Sequence, residues 1–245
     1  MEVKVIALTQ PLITKISDVC LCGQTESGYG WPCTHGGCNF PEIPMSVDEF
    51  IAYVARVSNP DNQNNTLTTQ KLLKYLVKHK HWSPFEMVNV VFSIETTRDI
   101  ARQILRHRSF SFQEFSQRYA DPTKSLGFVI RETRLQDNKN RQNSIEIEDN
   151  DLNFAWQHHQ NEVIRQSKKS YEWAIANGIA KEQARVVFPE GLTGSKLYMN
   201  GTLRSWVHYC QLRCGIETQK EHREIAMECW KQICEHFPSL QEVLI

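Results

Sequence analysis

Apolar residues recur along this chain with two different periods, one typical of strands and one typical of helices. Residues 3–9 and 88–96 are short runs rich in valine and isoleucine, which predict two β-strands. Residues 47–57 and 67–79 instead repeat apolar positions every three or four residues, which predicts two amphipathic helices. The inward face of the second helix is predicted to consist of Leu72, Leu73, Tyr75 and Leu76.

Capping residues place two of the helix ends. Ser46 comes directly before the first helix and Glu49 follows three residues later, which is the spacing of a capping box. A long helix is predicted over residues 153–176, and Gly178 is suited to end it because glycine adopts the left-handed conformation easily. The apolar positions of this helix are predicted to include Phe154, Val163, Ile164, Tyr171 and Ala174.

The rest of the pattern predicts mainly helices. Residues 127–131 are predicted to form an edge strand, and the polar residues 132–152 are predicted to form an exposed loop. Further helices are predicted over residues 97–107, 179–189, 196–213 and 217–236. In the third of these, Arg204 and His208 share a face, whereas Arg213 lies about 180° further round the helix.

Composition narrows the class of protein. The 245 residues are enough for one large domain or two small ones, and 40% of them are apolar, which allows a sizeable core. Lys plus Arg and Asp plus Glu number 28 each, and this balance argues against broad nucleic-acid binding, which needs a basic face. No stretch approaches the roughly 18 apolar residues of a membrane span, and no signal peptide is evident. We therefore expect a soluble, intracellular protein with no membrane partner.

Residues 18–44 differ from the rest of the chain in composition. They combine four cysteines with His35, several glycines and prolines, which is typical of loops rather than packed elements. Four thiolates, or a mixed set with the histidine, would suit zinc, but the ligand spacing is irregular for a compact tetrahedral site. The alternative is a flexible insertion with free thiols. The cysteines are Cys20, Cys22, Cys33 and Cys38.

The segment from Arg106 to Asp121 concentrates polar chemistry among aromatic residues. It opens with an Arg-His-Arg triplet, whose planar guanidinium groups can bind phosphates and planar rings through paired hydrogen bonds. Phe110, Phe112 and Phe115 would hold the segment against a core. The segment alone is also compatible with a solvated basic helix end, or with a nucleic-acid patch whose aromatic rings stack on bases.

The spacing within this segment resembles a known signature. Arg106, His107 and Arg108, then seven residues, then Ser116 is similar to the signature of the flavin-dependent thymidylate synthases. Gln103 precedes the triplet, and Glu114, Arg118 and Tyr119 also stand at the positions the family pattern gives them.

The resemblance extends to other parts of the chain. The family has a His-x-x-Pro-Phe-Glu stretch, which matches residues 81–86, and an Ala-Arg-x-x-x-Pro context, which matches residues 184–189. The resemblance covers nearly everything except residues 18–44 and the loop over residues 132–152. We therefore expect one domain over residues 1–245 with a Cys- and Gly-rich insertion at about 18–44.

The resemblance implies both a fold and a reaction. The fold would be α+β, with a small antiparallel sheet packed against helices. The enzyme would be a methyltransferase that converts dUMP to dTMP with methylenetetrahydrofolate as the one-carbon donor. FAD reduced by NADPH would supply the hydride, and the folate product would be tetrahydrofolate. The family forms homotetramers with active sites between subunits. Because the sequence shows no signal peptide or membrane span, we expect the chain in the cytoplasm, which for a viral protein would be that of the host.

The resemblance also implies which residues bind each ligand. The FAD-contacting side chains would include Ser83, and His81 matches a position associated with flavin and folate contacts. Many relatives have asparagine where this chain has Thr202. The residues implied for dUMP are Gln103, Arg106, Glu114, Phe115, Ser116, Gln117, Arg118, Arg185 and Arg213. The residues implied for FAD are Ser83, Arg106, His107, Arg108, Glu114, Thr202, Leu203, Arg204 and His208.

The resemblance implies a catalytic role for Arg213, whereas the neighbours of Ser116 argue against a nucleophilic role for it. Arg213 matches the arginine that activates the substrate base, and a fixed guanidinium can stabilise negative charge that develops on a uracil ring. Ser116 would act as a nucleophile only with an adjacent base, and its neighbours Gln117 and Arg118 are not bases. Hydrogen bonding to the nucleotide is therefore the better prediction for Ser116. The alternatives to the synthase are a nucleic-acid-binding module and a zinc protein that acts through residues 20–38.

Overall fold

The computed structural model describes residues 1–16 and 41–244, and these form an α+β fold. Its strands are β1 Glu2–Leu8, β2 Thr14–Ile16, β3 Glu42–Pro44, β4 Asn89–Thr97, β5 Ser111–Glu114, β6 Arg134–Gln136, β7 Ser144–Glu146 and β8 Gly194–Thr202. Its α-helices are α1 Val47–Ala55, α2 Thr69–Lys78, α3 Arg98–Ile104, α4 Pro122–Ser125, α5 Asn150–Ala176, α6 Lys181–Ala184, α7 Leu203–Arg213 and α8 Lys220–His236. Short 3-10 helices cover Pro60–Asn62, Ser83–Met87, Arg185–Val187 and Pro238–Leu244.

The main sheet is antiparallel and has the strand order β1-β4-β8-β5. Strands β4 and β8 pair along their whole length, from Asn89 opposite Thr202 to Thr97 opposite Gly194. Alternate residues of both strands are fully buried, and they pack with α7 and α8 in the main core. The predicted fold class, a small antiparallel sheet packed against helices, is therefore confirmed.

The helix ends follow the predicted capping chemistry. At α1, the Ser46 hydroxyl accepts a hydrogen bond from the Glu49 backbone, and the Glu49 carboxylate accepts one from the Ser46 backbone. At the end of α5, Gly178 has a φ of +77°, which a residue with a Cβ rarely adopts. The prediction for the inward face of α2 is wrong at Tyr75, which is 52% exposed and stacks on His79 instead.

The predicted helix over residues 196–213 is wrong in its first half. Residues 194–202 form β8, and only Leu203–Arg213 are helical. Alternating burial, with Leu197 and Met199 inward, shows that pairing with β4 decided the conformation. The pattern also missed β5, because four residues are too few to establish a period.

The predictions for residues 127–152 are partly wrong. In place of the predicted edge strand, Phe128 makes an isolated bridge with Thr193. Residues 132–152 are not a loop throughout, because β6 and β7 pair as a hairpin and α5 begins at Asn150. The Lys220 ammonium holds this hairpin to α8 through Glu132 at 2.8 Å and Glu146 at 2.6 Å. Because Lys220 is far in sequence from Glu132 and Glu146, the local pattern of residues 132–152 could not indicate these contacts.

The apolar face predicted for α5 holds for part of the helix. Ile164, Tyr171 and Ala174 are buried, whereas Phe154 and Val163 are exposed.

The zinc prediction at Cys20–Cys38 lies outside the described residues. Within residues 1–16 and 41–244, no group of three or more His, Cys, Asp or Glu side chains could hold a metal ion. In the same ranges, no helix is long and apolar enough to cross a membrane.

Candidate active site

The change from β8 to α7 sets the position of the functional helix. Thr202 is the N-cap of α7, and its hydroxyl accepts a hydrogen bond from the Ser205 backbone at 3.2 Å. Leu203 follows with its side chain fully buried in the core. The helix then exposes Arg204 and His208 on one side, while Arg213 lies in its last turn.

The first group of predicted residues lies at the start of α7. Arg204 forms an ion pair with Glu86, which belongs to the 3-10 helix that begins at Ser83. The His208 ring meets the edge of Trp82 with 6.1 Å between the centroids. Burial, followed by the nearby Arg204 charge, lowers the pKa of His208, so this ring favours its neutral form. His81 and Ser83 are exposed beside these side chains.

The second group lies at the other end of α7. The Arg213 Nε donates a hydrogen bond to the His107 Nε2 at 3.0 Å, which requires that nitrogen to be unprotonated. Burial, together with the Arg213 charge, lowers the pKa of His107 to about 4. His107 is therefore neutral at pH 7, and Arg213 keeps its full positive charge beside it.

A buried hydrogen-bond chain begins next to this pair. The Gln103 side chain contacts the His222 Nδ1 at 3.2 Å through its oxygen and donates to the Gln219 oxygen at 2.8 Å through its nitrogen. The His222 Nε2 contacts the Tyr209 hydroxyl at 3.1 Å, and the Gln219 nitrogen donates to Glu221 at 2.9 Å. The chain thus connects α3, where Gln103 lies, to α7 and α8.

A third group surrounds the end of β5. The Glu114 carboxylate accepts a hydrogen bond from the Ser195 hydroxyl at 3.0 Å and lies 3.4 Å from Arg102 and 3.9 Å from Arg98. Arg98 is buried, and burial is the first cause that lowers its pKa from the usual arginine value. Arg98 and Arg102 also each approach Glu190 at 3.8 Å.

The segment after β5 contacts α6. Arg118 lies 3.5 Å from Glu182, and the Arg185 Nε donates to the Glu182 backbone oxygen at 3.3 Å. Among residues 1–16 and 41–244, the Ser116 hydroxyl accepts only a long hydrogen bond, 3.4 Å, from the Arg118 backbone. Gln117 is 97% buried, and its amide nitrogen has no partner within the described residues. Phe115 hydrogen-bonds to Lys196 through its backbone and is half-buried.

The donor set suits a ligand with a pyrophosphate, such as a flavin dinucleotide. Arg106 and Arg108 are exposed, and neither forms an ion pair with a side chain in the described ranges. Arginine groups without a protein carboxylate are free to bind phosphate oxygens. The exposed Arg204, His208 and Ser83 offer further donors for such a molecule.

A cavity of about 330 Å³ lies beside these groups and shares only Gln219 and Glu221 with the site residues described above. Its charged lining is internally paired, since Arg131 contacts Asp99 at 2.8 Å and Glu221 at 2.9 Å. Gln219 also lines it and connects it to Gln103 through the hydrogen bond above. Sequence reasoning did not indicate this cavity, because its wall comes from α5, α8 and the segment around residue 131.

The comparison with protein families gives a match over most of the chain. Residues 44–239 match the family described as "Thymidylate synthase complementing protein". The residues that carry the three groups above all lie within this range.

Similar proteins carry related names. A "Probable flavin-dependent thymidylate synthase" of Paramecium bursaria Chlorella virus 1 is 45% identical over 81% of this chain and 91% of its own length. A "Flavin-dependent thymidylate synthase" of a Synechocystis species is 48% identical over 83% of this chain and 94% of its own length. These alignments cover almost the whole of both relatives.

Among solved structures, a UMP/dUMP methylase from Streptomyces cacaoi bound with 5-Br UMP has a TM-score of 0.72. The superposition covers 99% of this chain and 92% of the methylase chain, and the two sequences are 21% identical. At this identity the likeness supports the fold alone.

Proposed function

Because this chain belongs to the flavin-dependent thymidylate synthase family, we propose that it is a methyltransferase that converts dUMP to dTMP with FAD as its cofactor. The observation that carries the proposal is the pairing of Arg213 with a neutral His107, which lies inside the family signature. Methylenetetrahydrofolate would be the one-carbon donor and NADPH the reductant of the flavin. Bound FAD would supply the hydride-transfer chemistry that no side chain provides.

Arg213 is the proposed catalytic residue. Uracil becomes a nucleophile when negative charge develops on its ring, and a fixed cation stabilises that charge. The neutral His107 orients the Arg213 guanidinium through one hydrogen bond without cancelling its charge. Arg213 needs no proton transfer of its own, since arginine remains protonated.

The residues around β5 are the proposed site for the rest of dUMP. Arg118 and Arg185 both contact Glu182 and carry guanidinium groups suited to bind a phosphate dianion. The Ser116 hydroxyl is available for a hydrogen bond, because its only contact in the described part of the chain is weak. We assign Gln103, Arg106, Glu114, Phe115 and Gln117 to the same nucleotide.

The residues at the start of α7 are the proposed flavin site. Arg204, His208 and Ser83 would orient FAD together with Arg106, His107 and Arg108. Glu114 would also contact it. Thr202 and Leu203 would contribute through the backbone, because the Thr202 hydroxyl caps α7 and the Leu203 side chain is buried. The exposed His81 would contact flavin or folate.

A homotetramer with sites between subunits is also proposed. Arg204 and Arg213 are nine residues apart on α7, so about 13 Å of helix separates the two groups of ligand-binding residues. A second subunit could bring its own copy of one group to the other. The apolar groove between α5 and α6, lined by the exposed Trp173, Ile179 and Val186, offers a surface for such contacts.

The test is a reconstitution with and without the flavin. Purified protein is incubated with FAD, NADPH, methylenetetrahydrofolate and dUMP, and dTMP is measured by mass spectrometry. We expect dTMP only when FAD is included. Bound flavin that NADPH bleaches without dTMP would mean a flavoprotein with another acceptor, and absence of flavin binding would refute the assignment.

A further inference from the structure

His222 is a fully buried ionisable side chain whose hydrogen-bond partner Gln103 belongs to the proposed dUMP site. It lies on α8, is 0% exposed, and uses both ring nitrogens in hydrogen bonds. No motif singles it out, and the proposed mechanism does not use it. Its partner Gln103 is assigned to the nucleotide, so His222 acts one residue away from the ligand.

The hydrogen-bond chain through His222 has only one direction. Glu221 is a carboxylate and can only accept, so the Gln219 nitrogen must donate to it. The Gln219 oxygen then accepts from the Gln103 nitrogen, which leaves the Gln103 oxygen facing His222.

The remaining protons follow from the same logic. An amide oxygen only accepts, so the His222 Nδ1 carries the proton and donates to Gln103. The Nε2 of a neutral ring is an acceptor, and the Tyr209 hydroxyl therefore donates to it. The donor and acceptor roles of four side chains, Gln219, Gln103, His222 and Tyr209, are thus fixed by the single Glu221 carboxylate.

The charges nearby keep this arrangement stable. Burial, followed by the charge of Arg213 and, at acidic pH, that of protonated His107, lowers the pKa of His222 to about 3. Burial alone would raise the pKa of Glu221, but its own backbone N–H and Arg131 outweigh burial and hold it below the usual value. At pH 7 the acceptor end is therefore ionised and the histidine is neutral.

We propose that His222 is a positioning residue that locks the orientation of the Gln103 amide for dUMP. The chain uses one N–H and one lone pair of that amide, which leaves one N–H and one lone pair to address the nucleotide in a fixed arrangement. Without His222 the amide could rotate and exchange the two ends. This inference rests on the proposed function, because it assumes that dUMP is the ligand of Gln103.

The test compares two substitutions of His222. His222→Asn places an amide N–H near the position of Nδ1 and keeps the bond to Gln103, whereas His222→Leu removes both polar contacts. We expect His222→Leu to raise the KM for dUMP roughly tenfold with a smaller change in kcat, the scale of losing one ordered hydrogen bond. His222→Asn should restore most of the affinity. Circular dichroism and bound-flavin absorbance would show that both variants fold.

A double-mutant cycle separates positioning from general damage. In a Gln103→Ala background, His222→Leu should no longer change the KM for dUMP, because the group it orients is gone. Equal impairment of the Asn and Leu variants, or an effect of His222→Leu that persists without Gln103, would overturn the proposal. If the wild-type protein forms no dTMP, the proposed function fails. If it forms dTMP and all variants match it, only the positioning role fails.

Discussion

Arg213 contacts a histidine where a buried arginine would ordinarily contact a carboxylate. Within the described residues it forms no ion pair, and its hydrogen-bond partner His107 is neutral because its pKa is about 4. The guanidinium charge is therefore not cancelled by the protein. A charge kept available in this way is suited to stabilise an anion that forms during the reaction.

Replacing this arginine tests that role at the level of a single residue. Arg213→Ala should lower the rate of dTMP formation at least about a hundredfold, the scale of losing a preorganised electrostatic donor. FAD binding, measured from the visible absorbance of the purified protein, should remain. Turnover close to that of the wild type would show that another group activates the base.

The neutral histidines also predict how stability depends on pH. The pKa of His222 is about 3 in the folded protein, against about 6.5 when unfolded. Above pH 6.5 neither state binds the proton, whereas below it the unfolded state binds more protons and gains stability. The free energy of unfolding should therefore fall by about 2 kcal/mol between pH 7.5 and pH 5 because of this residue.

Thermal unfolding at several pH values measures this effect. Part of the fall in Tm between pH 7.5 and pH 5 should disappear in His222→Asn, because asparagine does not titrate in this range. His107, whose pKa is lowered in the same direction, would account for a further part. An identical pH dependence in the wild type and the Asn variant would show that folding does not change the pKa of His222.

For individual residues, the sequence indicated some members of the candidate site and gave no sign of others. The family signature predicted binding roles for Arg106, His107, Arg108 and Ser116, because its spacing is long and specific. It could not indicate His222, since a lone histidine on an amphipathic helix is usually an ordinary core residue. Its importance depends on Gln103 and Tyr209, which are 119 and 13 residues away.

Among the secondary-structure elements, β8 packs directly against the signature segment through Gly201 and Phe110. Gly201 on β8 lies directly under the ring of Phe110, and a Cβ at this position would overlap the ring carbons. Phe110 also packs on Trp206 with 4.7 Å between the centroids and on Tyr209 at 5.9 Å. The glycine therefore lets the segment after His107 lie close against the sheet.

A methyl group at position 201 should displace that segment. We expect Gly201→Ala to lower the free energy of unfolding by roughly 1–3 kcal/mol, as overpacking typically does, and to weaken FAD binding. Gly191→Ala is the matched control, because a Cβ there would meet its nearest neighbour, Asp99, at 3.8 Å. Chemical denaturation and flavin titration measure the two effects. Equal behaviour of the two variants would argue against this role of Gly201.

The elements that the pattern predicted well are those decided locally. The capping box at α1 and the glycine after α5 need only neighbouring residues, and both predictions are confirmed. The predicted boundary between β8 and α7 was wrong, because residues 196–202 belong to a strand and not to the predicted helix. Their pairing with β4, about 100 residues earlier in the chain, decides the outcome.

For the whole molecule, the main prediction concerns assembly. The groove between α5 and α6 has a volume of about 570 Å³, and Trp173 and Val186 beside it are 63% and 81% exposed. Exposed apolar residues grouped in this way commonly mark a protein interface. Light scattering after gel filtration should give four times the chain mass of 28.5 kDa.

A charged residue in the groove should weaken the assembly. Trp173→Asp is expected to shift the mass towards smaller species and to lower dTMP formation together, because the proposed sites need a second subunit. Leu67→Asp is a suitable control, since Leu67 is 91% exposed and does not line the groove. A fully active monomer would contradict shared sites.

The hydrogen-bond chain that ends at Glu221 has fewer possible proton arrangements than a chain without a carboxylate. A row of amides, imidazole and hydroxyl closed by groups that can both donate and accept has two equivalent proton arrangements and fluctuates between them. The carboxylate at one end removes this degeneracy, so the chain has a single ground state. The order present at Gln103 before any nucleotide arrives thus originates in the Glu221 carboxylate, two side chains away in the hydrogen-bond sequence.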